Sequence, residues 1–276
     1  MISLGAGVQS TTMALMAAHG EIDPMPSCAI FSDTGWEPKH VYAHLDWLCS
    51  PNVLPFQVEI VSRGNIRTDI TTILSGQKSA GRRATAPFFT KGRDGLAAPL
   101  RRQCTGHYKI EPIEKRLKHK LGIKPRVRQP TEPMVEVWMG ISTDEIYRVK
   151  PAQLPWIKRR WPLIEKRMSR QDCLNWMERH GYPRPPKSSC IGCPYHNDAY
   201  WRDMKDNSPD EWRDAVEIDK AVRAGFARIG TGGRTNTGAL YLHRSLKPLD
   251  QVDLSTPEDH GQLNLFNNEC EGMCGV

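Results

Sequence analysis

Short apolar runs alternate with stretches of helical period through the first third of the chain. Ile2 to Leu4 is a brief, mostly apolar run and Gly5 to Gly7 a glycine-rich turn, after which Met13, Leu15, Met16 and Ala17 give Ser10 to His19 the spacing of a helix. Cys28 to Ser32 is a second run, closed by Asp33-Thr34-Gly35, and Val41, Leu45 and Leu48 follow at helical intervals. Phe56 to Val61 alternates as a third strand, with Ile66, Ile70, Ile73 and Leu74 marking the next helix. Strand–helix alternation of this kind predicts an α/β fold, a Rossmann-like parallel sheet flanked by helices.

The pattern weakens after residue 77. Residues 78–103 mix Lys and Arg with Gly and Ala at weak periodicity and read as a long basic loop. Pro112 suits the first turn of a helix whose stripe is Ile113, Leu117 and Leu121 and which ends at Gly122. Val135 to Ile141 is the next strand. Residues 151–194 are dense in Trp, Arg and Pro, with a helix from Ser169 to His180 opened by a serine N-cap and stopped by Gly181. Asp198 to Ala224 reads as helix divided at Pro209. The expected division is therefore a strand–helix part over 1–150, with its basic insertion at about 78–103, and a helical, irregular part over 151–276 that carries a C-x-x-C and a cysteine tail.

Composition narrows the class. With 276 residues, 39% hydrophobic and 25% charged, the chain has the make-up of a soluble globule rather than a disordered or fibrous protein. No stretch approaches the roughly 18 uncharged apolar residues of a bilayer crossing, and Met1 leads into a strand without a basic n-region or cleavage site, so the expectation is a cytoplasmic protein with no membrane contact. Eight cysteines are too few for a disulfide scaffold. The pairs Cys190/Cys193 and Cys270/Cys274 suit metal ligation or thiol chemistry, while Cys28, Cys49 and Cys173 are expected in the core.

Net charge of +7 conceals an asymmetry: residues 78–128 hold 15 Lys and Arg against 3 acids, leaving −5 for the rest. Such a segment attracts polyanions, nucleotide phosphates or nucleic acid, unless it is only a solvated face.

The first chemical motif is Ser3-Leu4-Gly5-Ala6-Gly7-Val8-Gln9-Ser10-Thr11. It leads from a strand into a helix, so backbone N–H groups, the helix dipole and two hydroxyls are available to one anion. The lysine of a G-x-x-x-x-G-K-[ST] loop is absent, as are the third glycine and ribose-binding acid of a dinucleotide site.

Gly5 to Ser10 resembles the S-G-G-x-D-S loop of the ATP pyrophosphatases, the PP-loop superfamily, and in particular of the phosphoadenosine phosphosulfate (PAPS) reductase-like family. Gly5 and Gln9 depart from that pattern. Asp33-Thr34-Gly35 is similar to the family's D-T-G beside the nucleotide, and Gly140-Ile141-Ser142-Thr143-Asp144-Glu145, with Arg148 and Lys150, resembles its later segment near the phosphates. The resemblance implies an adenine nucleotide alpha hydrolase-like fold. It also implies that Ser3, Gly5, Ala6, Gly7, Val8, Gln9, Ser10, Thr11, Asp33, Thr34, Gly35, Gly140, Ser142, Arg148 and Lys150 surround ATP, adenylylsulfate or PAPS, with Mg²⁺, and that Asp33 and Arg148 take part in catalysis.

The second motif is Cys190-Ile191-Gly192-Cys193-Pro194, a knuckle that brings two thiols together. Cys104 lies 86 residues upstream, flanked by Arg101, Arg102 and Lys109. This spacing resembles the cysteines by which adenylylsulfate reductases and cluster-dependent tRNA thiolases hold a [4Fe-4S] cluster, although Gln103 stands where the reductases double the cysteine. A zinc ion with His107 or His196 as fourth ligand, or bare thiols, are the alternatives. Glu269-Cys270 is similar to the E-C-G end of PAPS reductases, which makes Cys270 the candidate nucleophile and Cys274 its neighbour.

Trp138, Trp156, Trp161, Trp176, Trp201 and Trp212 are expected to pack in the core or at its rim, and His40, His44 and His180 to be surface or capping residues. Three functions follow. The first is an enzyme that adenylylates an acceptor with ATP and then transfers sulfur, the acceptor being a nucleic acid held by residues 78–128, as in tRNA thiolation or DNA phosphorothioation by similar proteins. The second is reduction of adenylylsulfate or PAPS to sulfite. The third is a non-catalytic nucleotide-binding accessory of a mobile-element or defence system. A sulfur donor protein or a thioredoxin-like reductant would be the partner; oligomeric state is not legible in the chain.

Overall fold

Alternation along three central strands sorts their side chains to two faces, and that sorting builds two cores. In a computed structural model, which describes residues 1–75, 86–224, 238–255 and 259, β1 (Ile2–Leu4), β2 (Ala29–Asp33), β3 (Val58–Ser62), β6 (Val135–Met139) and β7 (Ile157–Arg160) form one parallel sheet. Its order is β3-β2-β1-β6-β7. Ile2, Leu4, Ala29, Phe31 and Trp138 face one side, where α1 (Val8–Ala18), α2 (Lys39–Leu48), α5 (Pro162–Glu165) and α6 (Arg170–Arg179) cover them. Cys28, Ile30, Val137 and Met139 face the other, against Leu117 of α4 (Glu111–Lys120) and Trp156. Both faces are thus buried, the condition under which a parallel sheet is stable.

A third core is separate from these two. It joins α3 (Ile66–Leu74), Tyr108, α7 (Asp198–Asn207), α8 (Pro209–Ala224) and the stretch from Leu240 to Leu254. α7 and α8 meet at Pro209, where the sequence pattern divides the helix. α6 begins with a full capping box, the Ser169 hydroxyl accepting from the Asp172 N–H while Asp172 accepts from the Ser169 N–H, and ends just before Gly181.

Several expectations are corrected. Inside the basic stretch read as a loop, β4 (Phe89–Lys91) and β5 (Ala97–Pro99) pair as an antiparallel hairpin, turned by Asp94-Gly95 and anchored by buried Phe88. Strand β7 hides in the Trp/Arg-rich region: it is an edge strand of sequence Ile-Lys-Arg-Arg, and edge strands favour charge. The helix after Cys104 opens as a π-helical turn, Thr105–Ile110, before α4. Cys28 and Cys173 are buried as expected, but Cys49 is exposed at the end of α2. Lys78, Arg82, Arg83, Cys270 and Cys274 lie outside the described residues.

Part of the basic charge is neutralised internally. Arg116 and Lys120 of α4 both reach the buried carboxylate of Glu59 on β3. Burial alone would raise that carboxyl, but the hydrogen bonds and charges of Lys120 and Arg116 outweigh it and hold it below the ordinary range. None of the helices among the described residues is long and apolar enough to cross a membrane.

Candidate functional site

The chain runs from β1 out to β3 and then returns to the far side of β1 with β6, so the sheet order reverses between β1 and β6. Ligands of open α/β sheets collect at the carboxyl ends of the strands beside such a reversal. Both the glycine loop and Gly140 to Ser142 leave strands there. Gly140 belongs to this close approach: a Cβ on it would lie 2.9 Å from both the N and the Cα of Ser10. Ser3 sits mid-strand between Ile30 and Met139.

Within the loop, Ala6 takes φ +54° and Gly7 caps α1 without any side-chain cap. No acid occupies the first turn of α1, so its backbone N–H groups have no carboxylate to satisfy them. The two hydroxyls turn inward. Ser10 Oγ accepts from the Gly5 N–H at 3.1 Å and donates to the Gly7 carbonyl at 3.3 Å; Thr11 Oγ1 lies 3.0 Å from His44 Nε2. Donors to an anion here are therefore main-chain groups, with Val8 and Ala6 buried beneath them.

Gln9, which departs from the S-G-G-x-D-S pattern, joins the loop to the segment after β6. Its Nε2 lies 3.4 Å from Ser142 Oγ and from Glu145 Oε2, and its Oε1 accepts from Arg170 Nη1 at 3.3 Å. Glu145 is 3% exposed and pairs with Arg148. Arg148 is thus tied to a carboxylate rather than presented alone, and Lys150 is exposed. Asp33 shapes its own turn, accepting from the Gly35 N–H at 2.7 Å and the Tyr42 hydroxyl at 2.9 Å. Burial first, and that bond to Asp33 second, raise the Tyr42 phenol far above its ordinary value.

The cysteine knuckle comes to the same edge. A Cβ on Gly7 would sit 3.6 Å from Ser188 Cβ, two residues before Cys190. Thr34 Oγ1 lies 3.2 Å from Cys190 Sγ and 2.9 Å from Glu37 Oε1, which is itself 3.6 Å from the sulfur. The Ile191 N–H donates to the Trp36 carbonyl, and Gly192 sits so close to the Trp36 ring that a Cβ would fall 2.0 Å from it. Glycine between the two cysteines is what allows the knuckle to lie flat on that indole.

Cys104, Cys190 and Cys193 all line one open cleft, together with Thr34, Arg102 and Lys109. Their chemistry suits a group held by thiols. As a site for a single ion the arrangement does not fit, since no three His, Cys, Asp or Glu side chains among the described residues are gathered to hold one. Neither histidine considered as a fourth ligand is gathered with the cysteines into a metal-holding group among the described residues. His196 is buried with Nε2 2.9 Å from the Cys190 carbonyl, and burial followed by the Lys187 charge brings it down to about 3. His107 Nδ1 lies 2.7 Å from Glu111 Oε1.

Three residues escape the sequence patterns. His44 is not a surface residue: it is buried against the glycine loop, and desolvation lowers it to about 4, so it is neutral. Only its place on the α2 stripe, one residue before Leu45, hints at this. Glu37 is 3% exposed and its Oε2 has no hydrogen-bond partner. Glu145 is buried from within a polar run, which no periodicity reveals.

No family model and no curated protein matches the sequence. Among solved structures, the chain is similar to the phosphate complex of phosphoadenylyl-sulfate (PAPS) reductase from Candida auris, at 13% identity and a TM-score of 0.41, over 67% of this chain and 74% of that one.

Proposed function

We propose that the chain is an enzyme that binds ATP at the β1–β6 reversal, adenylylates an acceptor and replaces the activated oxygen with sulfur at the cysteine cleft. One observation supports this reading: Cys190 lies against Thr34 of the Asp33-Thr34-Gly35 turn, and Ser188, two residues before it, lies beside Gly7, so the chain that carries the knuckle runs past both nucleotide motifs. An acceptor oxygen attacks the α-phosphorus of ATP, and pyrophosphate leaves with the electrons of the broken P–O bond, toward the N–H groups at the start of α1. Those preorganised donors meet the developing charge, and Mg²⁺ brought in with the nucleotide would supply further neutralisation. Hydrosulfide from a donor protein then attacks the activated carbon, AMP departs with the C–O electron pair, and the sulfur's proton passes to solvent. There is no net oxidation.

Cys104, Cys190 and Cys193 are the residues that would hold a [4Fe-4S] cluster, which would supply an iron-bound position for sulfur. Arg102 and Lys109 line the same cleft. The test is an anaerobic preparation incubated in turn with ATP, sulfide and unfractionated tRNA or DNA as acceptor, with adenylylsulfate and with PAPS, reading iron, labile sulfide, pyrophosphate and sulfite. Pyrophosphate from ATP is expected. Sulfite from PAPS without pyrophosphate from ATP would replace this reading with a reductase, and nucleotide binding without turnover would leave an accessory protein.

A further inference from the structure

Ile146 and Tyr147 are 59% and 67% exposed, the two consecutive members of the set of large apolar side chains open to solvent among the described residues. They stand on the short 3-10 segment Thr143–Arg148 that follows β6. The residue before them, Glu145, points inward to Gln9 of the glycine loop, so the pair sits on the outer wall of the candidate nucleotide site.

Their strap is braced. The Thr143 N–H donates to the Met168 carbonyl at 2.9 Å, the Arg170 N–H to Asp144 Oδ1 at 2.9 Å, and Arg148 pairs with Glu145. These contacts fix the backbone and leave the Ile146 and Tyr147 side chains outside. Met168 brings the connection between α5 and α6 alongside, and with it Lys166 and Arg167. Lys150, Lys166 and Arg167 are exposed, and among the described residues none of the three is paired with a carboxylate.

We propose that this patch docks a single-stranded nucleic acid, one unstacked base lying on Tyr147 and Ile146 while Lys150, Lys166 and Arg167 take the flanking phosphates. The proposal rests on the function above and names the class of its acceptor. Exposed cations on the strap and on the connection beside it call for a polyanion, and an exposed aromatic on the same strap calls for one with exposed π-faces; a duplex keeps those faces stacked inside. The strap's place against Gln9 would deliver the strand to the edge where the phosphates of ATP are held.

The experiment is fluorescence anisotropy of a labelled single strand of about 12 nucleotides, as RNA and as DNA, within the site sizes such proteins use, with ATP affinity measured separately by calorimetry. Tyr147→Ala is expected to weaken strand binding about 5- to 160-fold, the span of one lost stacking contact. Tyr147→Phe should keep it, and Lys166→Gln with Arg167→Gln should lower the salt slope by about 0.7 each. All three side chains are exposed, so thermal melting should match the parent protein. The proposal is overturned by absence of strand binding at low salt, by tighter binding of a blunt duplex, by strand affinity unchanged in Tyr147→Ala, or by Tyr147→Ala losing ATP affinity instead, which would put the ring on the mononucleotide's base. Strand binding of the expected pattern without ATP binding sinks the proposed reaction and leaves this surface standing.

Discussion

The hydroxyl of Thr34 lies 3.2 Å from the sulfur of Cys190, across 156 residues of sequence. Thr34 donates its hydroxyl proton to Glu37, whose other oxygen is buried without a partner, and the Cys190 thiol lies beside both side chains. Thr34→Val keeps the shape and removes that proton. We expect a loss of about 1–3 kcal/mol in urea denaturation, the cost of a buried acceptor left unmade. Alkylation of Cys190, followed by mass spectrometry, should also change in rate, because the thiol loses the hydroxyl it faces. Thr34→Ser should restore both; equal behaviour of Val and Ser would remove the hydroxyl from the account.

Gly140→Ala tests the contact between the end of β6 and the glycine loop. The new methyl would meet backbone atoms of Ser10 at 2.9 Å, and backbone cannot swing aside as a flexible side chain can. Overpacking of this kind costs about 1–3 kcal/mol. Because the displaced atoms belong to the first turn of α1, ATP affinity should fall by about tenfold or more in calorimetric titration. Unchanged affinity would mean that the anion is not held at this turn.

What could be read in advance follows from range. β1, its glycine loop and α1 are specified by consecutive residues, as are the Pro209 break and the capping box of α6, and each lies where the local pattern places it. The hairpin β4–β5 and the edge strand β7 owe their pairing to distant partners. Phe89 pairs with Tyr241, and Ile157 with Val135, while their own sequences are short and basic. The same divide runs through the site: three motifs are visible as strings, but neither the inward turn of Ser10 and Thr11 nor the burial of Glu145 has any periodic signature, and the burial of His44 shows only in its place on the α2 stripe. The basic stretch shows charge without showing that Glu59 absorbs part of it.

Ser169→Ala removes the capping box hydroxyl of α6, a helix that packs Trp176 and Met177 against α1. Its loss should cost about 1 kcal/mol in urea denaturation. Asp172→Ala should cost a similar amount, and the double variant less than the sum, since the two side chains serve one another's N–H. Strict additivity would show that the caps act separately.

His44 makes stability depend on pH in a window that can be stated. Its imidazole has an ordinary value near 6.5 in the unfolded chain, and burial lowers it to about 4 in the fold. Between these values the unfolded chain binds a proton that the folded protein refuses. Stability is therefore full above about pH 6.5 and falls as pH drops, by about 1.4 kcal/mol per pH unit, until the folded imidazole itself protonates near 4. Over the whole window the loss amounts to roughly 3 kcal/mol. Carboxylates add their own acid dependence, so the difference between the parent protein and His44→Gln isolates the imidazole. Gln can still hydrogen-bond to Thr11 but does not titrate, and urea midpoints between pH 7.5 and 4.5 should give it a flatter slope by about one proton. Parallel slopes for the two proteins would mean that His44 is open to protonation in the folded state, and that its contact with Thr11 does not exclude water.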